Sequence, residues 1–240
     1  MGNEFLSRTN LLLGAETLRR LKDARVAIFG LGGVGGWCAE ALARSGIGNM
    51  MIVDFDTVQE SNINRQIIAL ESTVGQAKVE AFSRRLKDIN PQISLDERKV
   101  FYSEQNASEF ELEKFDYVID AIDSLDSKVA LIRHVLSLEG VKLYSSMGAA
   151  LKKDIFAISA SNFKKVQGDG LARALRQRFK KSGGIPEKPF TCVWSAEKLQ
   201  NQVAQEGGRG KRAMGSIMHI TAAFGLALAN LVINDMASRV

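Results

Sequence analysis

Arg25-Val-Ala-Ile-Phe-Gly-Leu-Gly-Gly-Val-Gly35 is a short apolar run that leads directly into a glycine-rich turn. Its glycines, Gly30, Gly32, Gly33 and Gly35, contain the spacing G-x-G-x-x-G. Glycine is needed in such a turn because the backbone bends sharply and approaches phosphate oxygens closely. A helix that starts there adds unpaired N–H groups and a partial positive charge. The stretch therefore predicts a buried strand, a nucleotide-binding turn and a helix over 33–45; a turn selected only for tight packing is the alternative.

Strand and helix patterns alternate along the first half of the chain. Apolar runs of strand length occur at 25–29, 50–54, 93–100, 115–120 and 142–146, and helical spacing occurs at 33–45, 74–89 and 127–138. This alternation predicts an α/β fold: a doubly wound, mostly parallel, Rossmann-like sheet with helices on both faces. The pattern changes after Met147. We therefore divide the chain into a nucleotide-binding core at 1–150 and a smaller, basic carboxyl-terminal part at 151–240.

The composition is that of an ordinary soluble protein, since 45% of the 240 residues are hydrophobic, 25% are charged and the net charge is +5. Two cysteines, Cys38 and Cys192, are too few for a disulfide framework, which indicates a reducing, cytoplasmic setting. The first ten residues contain no apolar run typical of a secretory signal. The apolar stretch 217–233 is short for a membrane span and contains polar residues, so it predicts a core helix or a subunit contact. Peripheral membrane association is not favoured.

Polar and charged residues crowd the chain directly after the second predicted strand. Asp54 closes that strand 24 residues after Gly30, where a carboxylate can bind ribose hydroxyls. Lys78 lies in the first turns of a helix, from which its charge can reach phosphates; a solvated surface lysine is the alternative. An enzyme that handles a triphosphate needs such groups because charge accumulates on the transferred phosphoryl group, so an NAD-dependent dehydrogenase is disfavoured. Between these two residues lie Asp56, Ser61, Asn62, Asn64, Arg65 and Gln66.

Six motifs in the first 150 residues occur in an order typical of one enzyme superfamily. They are Arg8, the glycine turn, Asp54-Phe-Asp56, Ser61-Asn-Ile-Asn-Arg-Gln66, Val74-Gly-Gln-Ala-Lys78 and Asp120-Ala-Ile-Asp123. With these motifs the chain resembles the ubiquitin-activating-type adenylating enzymes, which include the enzymes that adenylate sulfur carriers in molybdopterin and thiamine synthesis. The resemblance covers roughly residues 5–150 and implies an ATP-binding adenylating core.

The resemblance also implies roles for individual residues. Asn62, Arg65 and Lys78 would hold the phosphates of ATP, and Arg8 would reach the ATP of the other subunit in a homodimer. Asp123 would bind a Mg²⁺ ion that bridges phosphate oxygens; the alternative is that it only caps a strand end or the next helix. The implied nucleotide site includes, besides the glycines, Asp54, Asp56, Ser61, Asn62, Asn64, Arg65, Gln66, Lys78, Asp120, Asp123 and Ser124.

Motifs in the second half extend the resemblance over nearly the whole chain. Ser145-Ser-Met-Gly-Ala149, Leu171-Ala-Arg-Ala-Leu-Arg176 and Cys192-Val-Trp-Ser195 are similar to those of the tRNA threonylcarbamoyladenosine dehydratase family. This resemblance implies that ATP activates the carboxylate of N6-threonylcarbamoyladenosine, next to the anticodon, and that the product is cyclic. The attacking carbamoyl group is part of the substrate and is already held near the acyl carbon, so no enzyme nucleophile is needed.

A tRNA substrate would explain an excess of basic residues at 152–181, which holds nine basic and two acidic residues. Arg173, Arg176 and Lys180 recur at helical spacing, which predicts that one helix face carries all three. A solvated basic surface is the alternative. Candidates for stacking on loop bases are Phe163, Phe179 and Trp194, each of which could equally be core. The candidate tRNA contacts are Lys164, Lys165, Arg173, Arg176, Arg178, Lys180 and Lys181.

Two other functions stay open from the sequence. One is a sulfur-carrier adenylating enzyme that passes sulfur through Cys192, although the Cys-x-x-Cys pairs common in that group are missing from the sequence. The other is a non-catalytic nucleotide-binding scaffold or redox sensor. Exposed loops are predicted at 182–186 and 207–210, and the polar tract 200–210 is predicted to be a mobile insertion.

Overall fold

The secondary structure follows the predicted alternation in a computed structural model, which describes residues 4–202 and 214–238. The strands are β1 Arg25–Phe29, β2 Asn49–Val53, β3 Ser94–Arg98, β4 Tyr117–Asp120, β5 Lys142–Ser146, β6 Ile158–Asn162 and β7 Thr191–Ser195. The helices are α1 Ser7–Asp23, α2 Gly35–Arg44, α3 Lys78–Ile89, α4 Leu125–Ser137, α5 Gly170–Lys181 and α6 Met218–Ala237. Short 3₁₀ turns connect several of them.

The described strands form one sheet in the order β3-β2-β1-β4-β5-β7-β6. All neighbouring strands are parallel except β6 and β7, which pair antiparallel. The predicted α/β, mostly parallel sheet is therefore confirmed. Phe29 at the end of β1 pairs with Val53 of β2 on one side and with Asp120 of β4 on the other. The carboxyl ends of these strands thus meet at one edge, where doubly wound sheets bind ligands.

Two apolar clusters lie on the two faces of the sheet. The larger contains α2 and α6, which pack closely because Gly225 has no side chain: a Cβ there would lie 2.4 Å from the carbonyl oxygen of Val34. Helix α6 has the length and composition of a membrane span, with a mean hydropathy of 1.5, but half of that window is buried within the protein. The contacts of α6 with α2 therefore support the predicted core helix over a membrane anchor.

The carboxyl-terminal part differs most from the prediction. Strands β6 and β7 were not predicted, and they extend the same sheet across the predicted boundary at residue 150.

Helix α3 starts at Lys78 rather than at 74, because Gly75 takes a φ of +86° that a helix does not contain. The predicted loop at 207–210 and most of the tract 200–210 lie outside the described residues.

Candidate active site

A cavity of about 850 Å³ opens at the carboxyl edge of the sheet. The turn after β1 and the segments that follow β2 and β4 form one side of it, and segments that follow β5 and β7 form the other. The cavity brings together eleven of the predicted nucleotide-site residues: Gly30, Gly32, Gly33, Asp54, Asp56, Asn62, Arg65, Gln66, Lys78, Asp123 and Ser124. Residues far apart in the sequence therefore share one site.

The glycine turn depends on glycine at two positions that contact each other. Gly30 has a φ of +89°, and a Cβ there would lie 2.6 Å from the carbonyl oxygen of Ala121. A Cβ on Gly35 would lie 1.8 Å from the carbonyl oxygen of Gly30. Gly35 serves the turn by close packing; it does not line the cavity, and its contact with nucleotide stays a prediction. Larger residues at either position would open the turn.

Asp54 fixes the glycine turn from the end of the neighbouring strand. Its Oδ2 accepts a hydrogen bond from the backbone N–H of Leu31 at 2.6 Å, and its Oδ1 accepts one from the N–H of Asp56 at 2.9 Å. Burial raises the pKa of the Asp54 carboxyl, and the nearby Lys78 charge opposes that shift. The two backbone bonds give Asp54 a structural role that the sequence did not predict, beside the predicted contact with ribose.

Lys78 is a buried cation in the wall of the cavity, so its alternative interpretation as a solvated surface lysine is wrong. Its Nζ lies 2.9 Å from Oδ2 of Asp56, and its backbone N–H donates to the carbonyl oxygen of Asp56 at 3.0 Å. Because it is the first residue of α3, both the side chain and the helix end present positive charge on this side. Asp56 is half-exposed and lines the same cavity.

The segment between β2 and α3 holds a second cation at the cavity. Arg65 is half-buried, and its Nη1 donates to the carbonyl oxygen of Ser61 and to Oδ1 of Asn64, both at 2.8 Å. Ser61 and Asn64 do not line the cavity, and their contact with nucleotide stays a prediction. Both orient Arg65. Gln66 is buried in the cavity wall, and its Oε1 has no hydrogen-bond partner.

Two acids at the end of β4 have different surroundings. Asp123 is exposed to the cavity, and the described residues offer it no ion pair. The described residues contain no cluster of three or more carboxylate, imidazole or thiolate groups that could hold a metal by themselves. A Mg²⁺ ion that takes most of its ligands from phosphates and water needs only one or two carboxylates. The single carboxylate of Asp123 therefore fits a nucleotide-borne ion.

Asp120 does not line the cavity, and its contact with nucleotide stays a prediction. Its carboxylate is fully buried and lies 2.9 Å from Nζ of Lys128, which is fully buried as well. Ser145 Oγ donates to Oδ2 at 2.7 Å, and the backbone N–H of Ile122 donates to Oδ1 at 3.2 Å. Lys128 also donates to the carbonyl oxygen of Ile122 at 3.1 Å. The pair thus fixes the residue that precedes Asp123. Lys128 was not among the predicted site residues, since its only sequence signal is a lone cation on the apolar face of a helix.

The basic helix α5 presents fewer free cations than predicted. The guanidinium of Arg176 donates to the carbonyl oxygens of Phe163 at 2.8 Å and Val166 at 2.5 Å, and it lies over the Phe163 ring. Helix α5 contains Arg173, Arg176 and Lys180 at the predicted spacing, but the protein's own carbonyl groups bind the guanidinium of Arg176, and its contact with tRNA stays a prediction. The exposed cations of this region are Lys164, Lys165, Arg173, Arg178, Lys180 and Lys181, of which Arg178 pairs with Asp126.

The predicted stacking aromatics are mostly core. Phe163 and Phe179 are buried and contact each other edge to face, and the half-buried Trp194 donates to Oγ of Ser161. The cavity carries a different, exposed aromatic pair, Phe55 and Phe101, whose ring centroids are 5.0 Å apart. Their only sequence signal is an aromatic residue placed just after a strand end.

Neither cysteine nor Arg8 lines the cavity. Cys38 and Cys192 are fully buried, and burial raises the pKa of both thiols, which disfavours the thiolate. Cys192 therefore has the core position that the sequence favoured, not that of a nucleophile. Arg8 is exposed near the start of α1.

This doubly wound sheet, with a glycine turn, a strand-end acid and two cations on one cavity, defines a nucleotide-binding α/β protein of the adenylating type. The model of the ThiF family matches residues 6–234, and the chain belongs to that family. A tRNA threonylcarbamoyladenosine dehydratase of Bacillus subtilis (strain 168) is 37% identical over 96% of this chain and 93% of that protein.

Solved structures give the same result at nearly full length. The crystal structure of the Escherichia coli tRNA N6-threonylcarbamoyladenosine dehydratase in complex with ATP superposes with a TM-score of 0.89 at 33% identity, and covers 98% of this chain and 95% of that chain. By contrast, the molybdopterin-synthase adenylyltransferase of Escherichia coli (strain K12) is 39% identical over only 44% of this chain. The similarity to dehydratases thus includes the part beyond residue 150.

Proposed function

We propose that this protein uses ATP to dehydrate N6-threonylcarbamoyladenosine in tRNA to its cyclic form, through adenylation of the carboxylate. The observation that carries the proposal is the similarity to dehydratases over the full chain, including the segments after β5 and β7 that complete the cavity. A sulfur-carrier enzyme is less well supported because the similarity to the molybdopterin-synthase adenylyltransferase covers only 44% of the chain. A scaffold does not require two cations on a triphosphate-sized cavity.

The reaction needs activation because hydroxide is a poor leaving group from a carboxylate. In the first step a substrate carboxylate oxygen attacks the α-phosphorus of ATP, and pyrophosphate leaves. The N–H groups of the glycine turn and the start of α2 bind phosphate oxygens, and Lys78 and Arg65 stabilise the charge that develops on pyrophosphate. Asp123 would hold a Mg²⁺ ion, which supplies further positive charge to the phosphates when bound.

Ring closure follows on the mixed anhydride. The carbamoyl group of the same nucleoside attacks the acyl carbon, the bond to the AMP oxygen breaks, and one proton leaves the attacking group. AMP departs with one carboxylate oxygen, so the balance is the loss of one water from the nucleoside. Both reacting groups belong to one substrate, so holding them close together in the right orientation accelerates ring closure. A nucleophilic side chain of the enzyme is therefore not needed for this step. The absence of a thiol from the described part of the cavity agrees with this mechanism.

Mass spectrometry of nucleosides tests the proposal directly. The protein is incubated with ATP, magnesium and tRNA that carries threonylcarbamoyladenosine, and the modified nucleosides are then released and weighed. We expect conversion to a product lighter by one water, with one AMP formed per event. Release of AMP only in the presence of a small carrier protein would replace the proposal with the sulfur-carrier function.

Replacement of Cys192 by alanine separates the two enzymes further. We expect Cys192→Ala to keep cyclisation within about twofold of the wild type, since a buried thiol with a raised pKa does not act as a nucleophile. Initial rates of cyclic product on modified tRNA measure this. Cys38→Ala, which removes the other buried thiol, is the matched control for packing losses. A loss of turnover confined to Cys192→Ala, with stability equal in both variants, would contradict the mechanism.

The exposed cations of α5 give a prediction about tRNA binding. Arg173 and Lys180 are exposed, whereas Arg176 is held by backbone carbonyls. We expect the double variant Arg173→Gln/Lys180→Gln to weaken tRNA binding and to reduce the slope of log K against log[salt] by about 2. Arg176→Gln is the contrast: it should lower the melting temperature and leave that slope unchanged. Equal slopes in all three proteins would remove α5 from the tRNA surface.

The proposal includes a homodimer and a cytoplasmic location. Arg8 is exposed and lies outside the cavity of its own chain, as expected of a residue that serves a partner's nucleotide. The tRNA substrate and the two buried, unpaired cysteines support a reducing cytoplasm. Helix α6 supports the same location, since its apolar residues serve the core.

A further inference from the structure

Besides Lys78 and Asp56, the cavity has a second charged pair, Lys152 and Asp169, on the side away from the glycine turn. Along the sheet edge, the turn follows β1, Asp123 follows β4, and Lys152 and Glu197 follow β5 and β7. Asp169, just before α5, joins them in the cavity wall. Asp123 therefore lies between the nucleotide side and this second pair, and a group bound by Lys152 and Asp169 would face the nucleotide across Asp123.

Lys152 and Asp169 are both buried and neither is fully hydrogen-bonded. Nζ of Lys152 donates to the carbonyl oxygens of Ser195 at 2.9 Å and Glu197 at 3.0 Å, which leaves one of its three N–H groups. Oδ2 of Asp169 has no hydrogen-bond partner, and it lies 3.7 Å from Nζ of Lys152. The side chains are 5% and 1% exposed. The two groups thus form a buried ion pair in the cavity wall that is too long for a direct hydrogen bond, so each of them keeps one unfilled hydrogen-bonding position.

The structural role of Asp169 explains only one of its oxygens. Oδ1 accepts from the N–H of Ala172 at 2.9 Å as the N-cap of α5, and from the N–H of Gly148 at 3.5 Å. A buried carboxylate oxygen without a partner is unfavourable unless a ligand or water completes it. Gly148 leaves room there, since a Cβ at that position would lie 3.5 Å from Oδ2. This oxygen, which has a countercharge in Lys152 but no hydrogen bond, therefore points to a ligand group.

We propose that Lys152 and Asp169 bind the threonylcarbamoyl end of the substrate, through a group that presents a hydrogen-bond acceptor and donor side by side. The acceptor would take the free N–H of Lys152, and the donor would bond to Oδ2 of Asp169. The ureido group and the threonine hydroxyl both have this chemistry. This inference rests on the proposed function and names the part of the cavity that holds the nucleoside being cyclised.

Two substitutions test the pair without removing the helix cap. Asp169→Asn keeps the Oδ1 acceptor for Ala172, and asparagine is as good an N-cap as aspartate, but its other atom becomes a donor. Lys152→Met keeps the length of the side chain and removes the ammonium. The matched controls are Asp154→Asn, an exposed N-cap that does not line the cavity, and Lys153→Met, an exposed neighbour.

Three readouts are measured on each protein: ATP affinity without tRNA, melting temperature, and kcat and KM for tRNA carrying threonylcarbamoyladenosine. We expect both site variants to bind ATP within twofold of the wild type and to lose about 10- to 100-fold in kcat/KM for the tRNA. The controls should match the wild type. If Asp169→Asn does not fold, Lys152→Met decides alone. Wild-type rates in the site variants, or a parallel loss of ATP affinity, would overturn the inference.

A second substrate distinguishes the two groups that could bind. tRNA carrying glycylcarbamoyladenosine keeps the ureido group and lacks the hydroxyl. An equal loss on both substrates in Asp169→Asn assigns the pair to the ureido group, and a loss on the threonyl substrate alone assigns it to the hydroxyl; either supports the site. A wild-type protein that cyclises neither substrate would refute the proposed function itself, which separates that failure from a failure of the site.

Discussion

Replacing Asp123 by alanine is expected to reduce AMP formation by about 10²- to 10³-fold, because it removes the one carboxylate that the cavity presents at the end of β4. In the proposed mechanism this carboxylate holds the ion that compensates phosphate charge, so its loss affects the first chemical step. AMP and pyrophosphate are measured together after addition of ATP, magnesium and modified tRNA. Both should fall by the same factor, since ring closure cannot proceed without the mixed anhydride.

Asp126→Ala is the matched control for Asp123→Ala. Asp126 is exposed, lies three residues further along the chain and pairs with Arg178 outside the cavity. It should retain wild-type turnover, because an exposed ion pair contributes little. Folding of Asp123→Ala is checked by its melting temperature, which should change little for a side chain already in solvent. Full AMP formation by Asp123→Ala would refute its role.

The nucleotide side of the site could be predicted because its signals are local. The glycine turn, Asp54 and Lys78 each follow or begin an element whose apolar pattern is visible in the sequence. In a parallel sheet, strand ends share one edge, so elements far apart in the chain were expected to meet there. The cavity gathers Asp54, Lys78 and Asp123 at that edge.

The direction of a side chain was harder to predict than the position of its residue. Asp120 and Asp123 are three residues apart, yet Asp120 turns inward to Lys128 and Asp123 faces the cavity. Arg176 has the helical spacing of an exposed cation, but the carbonyl oxygens of a preceding turn bind it. These outcomes depend on unpaired groups supplied by other segments, which periodicity does not reveal.

The side of the cavity that contains Lys152 and Asp169 depends on strands that were not predicted from the sequence. Strands β6 and β7 are short and lie among polar segments, so their alternation is weak. Lys152 and Asp169 meet only because β7 and the following segment place Ser195 and Glu197 beside them. Two residues that the sequence showed only as charges within the basic segment 152–181 thus form a buried ion pair.

Lys128→Met is expected to produce the largest loss of stability among the single substitutions considered. It leaves the carboxylate of Asp120 fully buried without its countercharge, and removal of one member of a buried pair costs about 3–5 kcal/mol. In a chain of this size each 1 kcal/mol lowers the melting temperature by about 2–4 °C. The melting temperature should therefore fall by roughly 10 °C. Calorimetry or circular dichroism on the ligand-free protein measures this.

The double variant Asp120→Asn/Lys128→Met separates lost charge compensation from lost packing. It removes both charges and keeps the hydrogen-bonding partners of Ser145 and Ile122, so we expect it to recover most of the stability that Lys128→Met loses. Lys87→Met, which breaks an exposed pair with Glu97, should cost about 1 kcal/mol or less. Because the pair holds Ile122 next to Asp123, Lys128→Met should also slow AMP formation below the melting transition. A melting temperature within 2 °C of that of Lys87→Met would show that the buried pair does not determine the stability of this site.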